Sequence, residues 1–244
     1  MVSKNQIKLI SSLQQKKYRE QHQLFVAEGV KCINELLHAS FEPVFLLATE
    51  KIFDFQYDSI VHYISTAELQ KISGLASANT CLAVFKIPAP KPREERGLIV
   101  ALDEVRDPGN LGTIIRLCDW FGIEQLYCSS TTVEVYNPKV VQATMGSLAR
   151  VSIHYVDLPQ LLATTTLPVL GTFMDGDSIY ELALPQEGII VMGNEANGIS
   201  ALVAAQVTQR IAIPKFGKLQ QTESLNVATA TAIVLSECKR SNRL

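Results

Sequence analysis

No stretch of this chain approaches the roughly 18 consecutive apolar residues that a membrane-spanning helix requires. Cysteine is sparse: Cys32, Cys81, Cys118, Cys128 and Cys238 are odd in number and never form a Cys-x-x-Cys pair. That pattern argues against a disulfide framework or a structural zinc site, and for a reducing compartment. The four histidines (His22, His38, His62, His154) show no metal-ligand spacing, so no metal is expected. There is no G-x-G-x-x-G between a strand and a helix, no G-x-x-x-x-G-K-[ST] and no G-x-S-x-G. Those absences exclude the usual dinucleotide site, the P-loop and the serine-hydrolase elbow. Charge of one sign is also lacking, since the net value is −2. The first residues, Met1 to Gln6, lead into a polar, basic stretch without an apolar signal region, so the expected location is the cytoplasm.

What is present is an ordinary globular composition, 47% apolar and 19% charged over 244 residues, enough for one large domain or two modest ones. The segment from Ile87 to Gly97 packs three prolines and five charges together without apolar periodicity. It can neither bury a face nor continue a helix. This predicts domains at 1–88 and 97–244, joined by a linker at 89–96. In the first, Lys31 to Leu37 has helical spacing. Val44–Leu47, Ile60–Ile64 and Cys81–Phe85 read as strands, and Thr66–Ile72 reads as a short helix with Thr66 suited to its N-cap.

After the linker, strands and helices alternate. Leu98–Leu102 is a continuous apolar run, as expected of a strand buried on both faces. Leu111, Ile114, Ile115, Cys118 and Phe121 recur at helical spacing, with Gly122 placed to end the helix. Further strands are expected at Gln125–Cys128, Val151–Tyr155, Val169–Phe173, Ile189–Met192 and Arg210–Ile213. Helices fit at Pro138–Ala149, Leu158–Thr164 and Leu225–Lys239. The pattern implies an α/β fold with a mostly parallel sheet.

Sheets of that kind hold ligands beyond the carboxyl ends of their strands. Three loops there stand out: Asp103 to Gly112, Met192 to Gly198, and Ile213 to Asn226. Asn110, at a helix start, can cap free N–H groups or face a ligand. Arg116, about one and two-thirds turns further on, can grip a phosphate with its planar fork. A cap and a surface salt bridge would explain the same two residues. Gly193 and Gly198 allow close backbone approach, and Glu195 could orient loop amides or a ribose. Ser224 and Asn226 flank Leu225 at a helix N-terminus, where capping is again the plainer explanation. Residues 1–19 carry Lys4, Lys8, Lys16, Lys17 and Arg19 and no acid, either as a solvated helix face or as a phosphate-contacting patch.

At these three loops the chain resembles the TrmH/SpoU class of RNA 2′-O-ribose methyltransferases, in the SPOUT superfamily. Asn110-Leu111-Gly112-Thr113-Ile114-Ile115-Arg116 with Phe121-Gly122 is similar to the family's first motif. Val191 to Ile199 is similar to its second. Ile213-Pro214, Gly217 and Ser224-Leu225-Asn226-Val227-Ala228 are similar to its third. The resemblance spans about residues 97–244. Phe25-Val26-Ala27-Glu28-Gly29 extends it, more loosely, to the ribosomal-protein-like substrate-binding domain of many members.

The resemblance implies an α/β fold with a deep trefoil knot, a homodimer, and S-adenosylmethionine as methyl donor. Gly193, Ile213 and Leu225 would contact the donor, with Glu195 grouped beside them. Asn110, Arg116, Ser224 and Asn226 would line the place where the target ribose docks. The family proposal makes Arg116 the base. Its high pKa equally allows a role as phosphate anchor, with the proton leaving through Ser224 or the RNA. Ribosomal RNA is the preferred substrate and transfer RNA the alternative. The resemblance also supports Lys4, Lys8, Lys16, Lys17 and Arg19 as RNA contacts. Lys218 to Glu223 makes the third loop a few residues longer than the typical form. Two rival readings stand beside this one: a non-catalytic RNA-binding protein with the same fold, and a methyltransferase acting on a base.

Overall fold

A computed structural model of the chain describes residues 2–217 and 224–241. They divide into two compact units, one of residues 1–90 and 134–150, the other of residues 91–133 and 151–244.

In the first unit, helices α1 (Lys4–Ser12) and α2 (Lys16–His22) lead into strand β1 (Leu24–Glu28). Helix α3 (Val30–His38), strands β2 (Pro43–Ala48) and β3 (Val61–Tyr63), helix α4 (Thr66–Ile72) and strand β4 (Cys81–Lys86) follow. The sheet order is β1-β4-β2-β3, with β4 antiparallel to both neighbours and β3 parallel to β2. Ile10, Leu13, Val26, Leu47, Leu69 and Leu82 fill the core. The cap of α4 is Ser65 rather than Thr66. Its hydroxyl accepts the Glu68 N–H while the Glu68 carboxylate accepts the Ser65 N–H, a reciprocal capping box.

Residues 134–150 join this unit although the chain enters and leaves them from strands of the other. They carry α6 (Pro138–Thr144) and a 3₁₀ turn at Ser147–Ala149. The single helix expected over Pro138–Ala149 breaks because Met145 and Gly146 both turn to positive φ, 52° and 97°. At Gly146 a side chain is excluded as well, since a Cβ would lie 2.6 Å from Glu35. Several bonds tie the segment in. Cys32 donates its thiol to the Val141 carbonyl, Arg150 pairs with Glu35, and the Phe25 ring lies 4.8 Å from that of Tyr136.

The second unit holds β5 (Leu98–Leu102), α5 (Pro108–Phe121), β6 (Gln125–Ser129), β7 (Ser152–Val156), α7 (Leu158–Thr164), β8 (Val169–Ser178), β9 (Gly188–Met192), α8 (Ala201–Ala204), β10 (Gln209–Ala212) and α9 (Val227–Ser241). Its sheet runs β10-β8-β9-β5-β6-β7, and every described pairing is parallel. The α/β expectation with a mostly parallel sheet holds. β5, β6 and β9 are buried along their whole length, the reason β5 and β9 read as apolar runs. β8 is longer than expected: β10 pairs first with Leu170 and Gly171, then with Asp177 and Ser178, so residues 172–176 arch out of register. The proline-rich stretch is held to this unit. The Tyr127 hydroxyl donates to the Glu94 carbonyl at 2.9 Å, and burial pushes that phenol up to about 12.

Candidate active site

The site is built at the carboxyl ends of β5, β9 and β10, the edge where a parallel sheet gathers its strand ends. Asp107 caps α5, accepting the Asn110 N–H at 2.8 Å, and Pro108 sets the first helical turn. The capping role open to Asn110 therefore belongs to Asp107, and the Asn110 amide is left for other partners.

Two loops are fastened together behind it. Buried Asp103, 3% exposed, accepts the Ser200 N–H at 2.7 Å. Asn194 donates from its side chain to the Glu104 carbonyl at 2.7 Å, and its Oδ1 accepts the N–H groups of Ala196 and Asn197. Gly193 is pressed so closely on the Gly198–Ile199 main chain that a Cβ would sit 2.3 Å from the Gly198 carbonyl carbon. Sequence reasoning assigned nothing to Asn194. The available signal was its type: a short amide accepting N–H groups two and three residues on is the device of an Asx turn.

On this brace the three loops meet through side chains. Asn110 Nδ2 donates to Glu195 Oε1 at 2.9 Å, and Asn226 Nδ2 donates to Asn110 Oδ1 at 2.8 Å. Asn226 Oδ1 accepts the N–H groups of Ala228 and Thr229 in the first turn of α9. The chain of bonds has one direction. It starts at the donors of a helix N-terminus and ends on a carboxylate, so both amides are oriented without ambiguity.

Gly193, Glu195, Ile213, Ser224 and Leu225 border one cleft of about 1550 Å³. The structure thus brings together every residue expected at the donor, and sets Asn110 and Asn226 at the rim through Glu195. Arg116 does not border the cleft. It is exposed on α5 and makes no hydrogen bond or ion pair among the described residues. The arch at 172–176 forms one wall. There the Arg210 guanidinium lies 3.5 Å from the centre of the Phe173 ring and bonds Asp175 at 2.5 Å, which holds that carboxyl below its ordinary range. Lys218 to Glu223, the longer part of the third loop, lies outside the described residues.

The basic stretch lies in the first unit and divides in two. Lys4, Lys8, Lys16 and Lys17 are exposed, Lys16 paired at 3.7 Å with Glu20. Arg19 corrects the expectation. It is 2% exposed, donates to the Leu13 carbonyl at 2.7 Å and pairs with Glu134 at 2.5 Å, so its charge holds the unit together and is not available to RNA.

Comparison with known proteins agrees with this geometry. Residues 97–236 match the SpoU rRNA Methylase family, and residues 4–83 match the MRM3-like substrate binding domain. A solved TrmH-family protein from Porphyromonas gingivalis is 40% identical, covers 98% of this chain and 99% of its own, and superposes with a TM-score of 0.89. The AdoMet-bound rRNA methyltransferase of Sinorhizobium meliloti is 27% identical with a TM-score of 0.85, over 98% of this chain and 97% of its own. The 23S rRNA (guanosine(2553)-2′-O)-methyltransferase RlmP of Bacillus subtilis is 27% identical over 96% of each chain. With its family match covering more than half of its length, the chain belongs to the SpoU rRNA methylase family.

Proposed function

We propose that this chain transfers a methyl group from S-adenosylmethionine to a ribose 2′-hydroxyl in RNA, with ribosomal RNA as the substrate class. The observation that carries this reading is the one-way bond chain from α9 through Asn226 and Asn110 to Glu195, standing at the mouth of a large cleft. A binding protein without chemistry has no need of two amides held in fixed orientation beside a cleft.

The cleft suits the donor. Ile199, Ile213 and Leu225 offer apolar faces to an adenine, and glycine-bounded main chain forms much of its border. Glu195 places a carboxylate on the lining, which favours a sulfonium. When bound, S-adenosylmethionine supplies a methyl carbon already activated by its positive sulfur. What remains for the protein is alignment of the 2′-oxygen and removal of its proton. Asn110 and Asn226 each keep one amide N–H beyond the bonds described, enough to orient a ribose. Arg116, exposed and without a partner among the described residues, fits the phosphate anchor better than the base, because its planar fork matches phosphate oxygens. Ser224, on the cleft, then relays the 2′-hydroxyl proton to solvent water.

The curated names of relatives support ribosomal RNA: the B. subtilis protein acts on 23S rRNA, as does RlmB of Neisseria meningitidis, 31% identical over 62% of this chain. Exposed Lys4, Lys8, Lys16 and Lys17, in the region matching a substrate-binding domain, support a phosphate-contacting surface. A homodimer is supported by the outer face of α5, where Trp120 is 84% exposed one turn beyond Arg116. Sedimentation should give twice the 26.9 kDa of the chain, and a monomer at micromolar concentration would refute the dimer. The knotted path implied by the family is supported by the order of β10 outside β8, with α9 returning to pack on α5. Five free, buried cysteines support a reducing, cytoplasmic setting.

Calorimetric titration with S-adenosylmethionine, followed by mapping of methyl groups added to ribosomal and transfer RNA, tests the reading. Donor binding with transfer to a ribose is the expected result. No binding with or without RNA would favour the non-catalytic protein.

A further inference from the structure

An exposed aromatic ring stands at the edge of the cleft and a second ring lies against it, neither with a part in the bond chain. Phe216, on the loop after β10, borders the cleft and is 81% exposed. Tyr180, just beyond β8, is 45% exposed, and its ring centre lies 6.3 Å from that of Phe216 at an interplanar angle of 35°. The Ile179 N–H donates to the Ala212 carbonyl at 3.0 Å, so the segments that carry the two rings leave the same junction of β8 and β10. An aromatic ring this exposed loses the stabilisation that burial would give it, and here it forms part of the border of a ligand cleft.

We propose that Phe216, backed by Tyr180, is a stacking platform for one base of the RNA substrate, and so helps hold the target nucleotide unstacked for presentation. This rests on the methyltransferase reading and adds a substrate-positioning contact to it. A ribose can reach the amides of Asn110 and Asn226 only if its own base and its neighbours are unstacked and held elsewhere. Every nucleobase has a π-face, so a ring at the rim can hold one without reading its edge. Among the described residues near the pair the charges are Lys215 beside Phe216, Glu181 beside Tyr180, exposed Asp177, and Asp175, which pairs with Arg210, so the platform would hold a base through its π-face rather than by attracting the phosphate backbone.

The test uses full-length protein, total ribosomal RNA, and a short RNA spanning the mapped methylation site, intact or lacking one base at a time. Phe216→Ala should weaken RNA binding and raise the KM for RNA about tenfold while leaving donor affinity unchanged. Phe216→Tyr should restore both, and Phe216→Leu, which keeps apolar bulk without a π-face, should not. Removal of one particular base should cost the wild type about the same tenfold and cost Phe216→Ala nothing. Equal RNA affinity in wild type and Phe216→Ala overturns the proposal. So does a loss confined to donor binding, which would give the ring to the donor's adenine, or a change in sedimentation, which would give it to a second copy of the chain. Failure of the wild type to methylate any RNA would instead refute the activity, and RNA affinity would still decide the platform.

Discussion

The two units handle polar residues in opposite ways. In the second, a wholly parallel sheet delivers the ends of β5, β9 and β10 to one edge, and side chains from three distant loops bond to each other there. In the first, strands run both ways, and the cations of residues 1–19 are scattered over helical surfaces, except for Arg19, which is buried in a pair with Glu134. A concentrated arrangement of exposed polar groups is costly to orient and marks chemistry. A dispersed one marks a surface that needs only charge.

The sharpest way to break this contrast is Arg116→Ala, expected to lower kcat/KM for RNA about a thousandfold through the lost phosphate contact and the misplaced ribose, with fold and donor binding retained. Unchanged kcat/KM would remove the arginine from the site altogether. Next in size, Glu134→Ala strands the buried Arg19 charge and should cost about 3 kcal/mol in denaturant unfolding. A loss under ~1 kcal/mol would mean that the pair is as dispensable as a surface one. Asn226→Asp keeps the cap on α9 but replaces the donor to Asn110 with an acceptor. It should lower kcat about tenfold while leaving stability and donor affinity alone, and a fall in stability instead would make the bond chain scaffolding. Smallest, each of Lys4, Lys8, Lys16 and Lys17 changed to alanine should weaken RNA binding by less than about 1 kcal/mol and flatten its salt dependence. A change in kcat at constant RNA affinity would contradict a purely electrostatic surface.

Legibility in the sequence followed locality. The helix at Leu158–Thr164 could be read to the residue because its apolar spacing and its Asp157 cap are all local. β5 and β9 could be read because both their faces are buried. The far half of β8, Met174-Asp175-Gly176-Asp177-Ser178, is polar and carries no strand signal, since its arch is imposed by β10. The break after Thr144 depends on Glu35, 111 positions before Gly146. Arg19 looked like its neighbouring lysines because charge in a sequence does not show which way a helix turns it. For the site, three loops could be nominated, but not the bonds between Asn110, Glu195 and Asn226, which depend on sheet order. Asn194, whose bonds hold the second loop, had only its amide to announce it.

The discontinuity of the first unit bears on how such proteins can be recombined. Residues 1–90 lack one partner each of Arg19, Glu35 and Phe25, namely Glu134, Arg150 and Tyr136. A gene fusion that exchanged only the leading segment would import a buried guanidinium without its carboxylate and an aromatic cluster missing one ring. New RNA specificity could be acquired by shuffling only if two separate stretches of coding sequence travelled together, or if the inner stretch changed first.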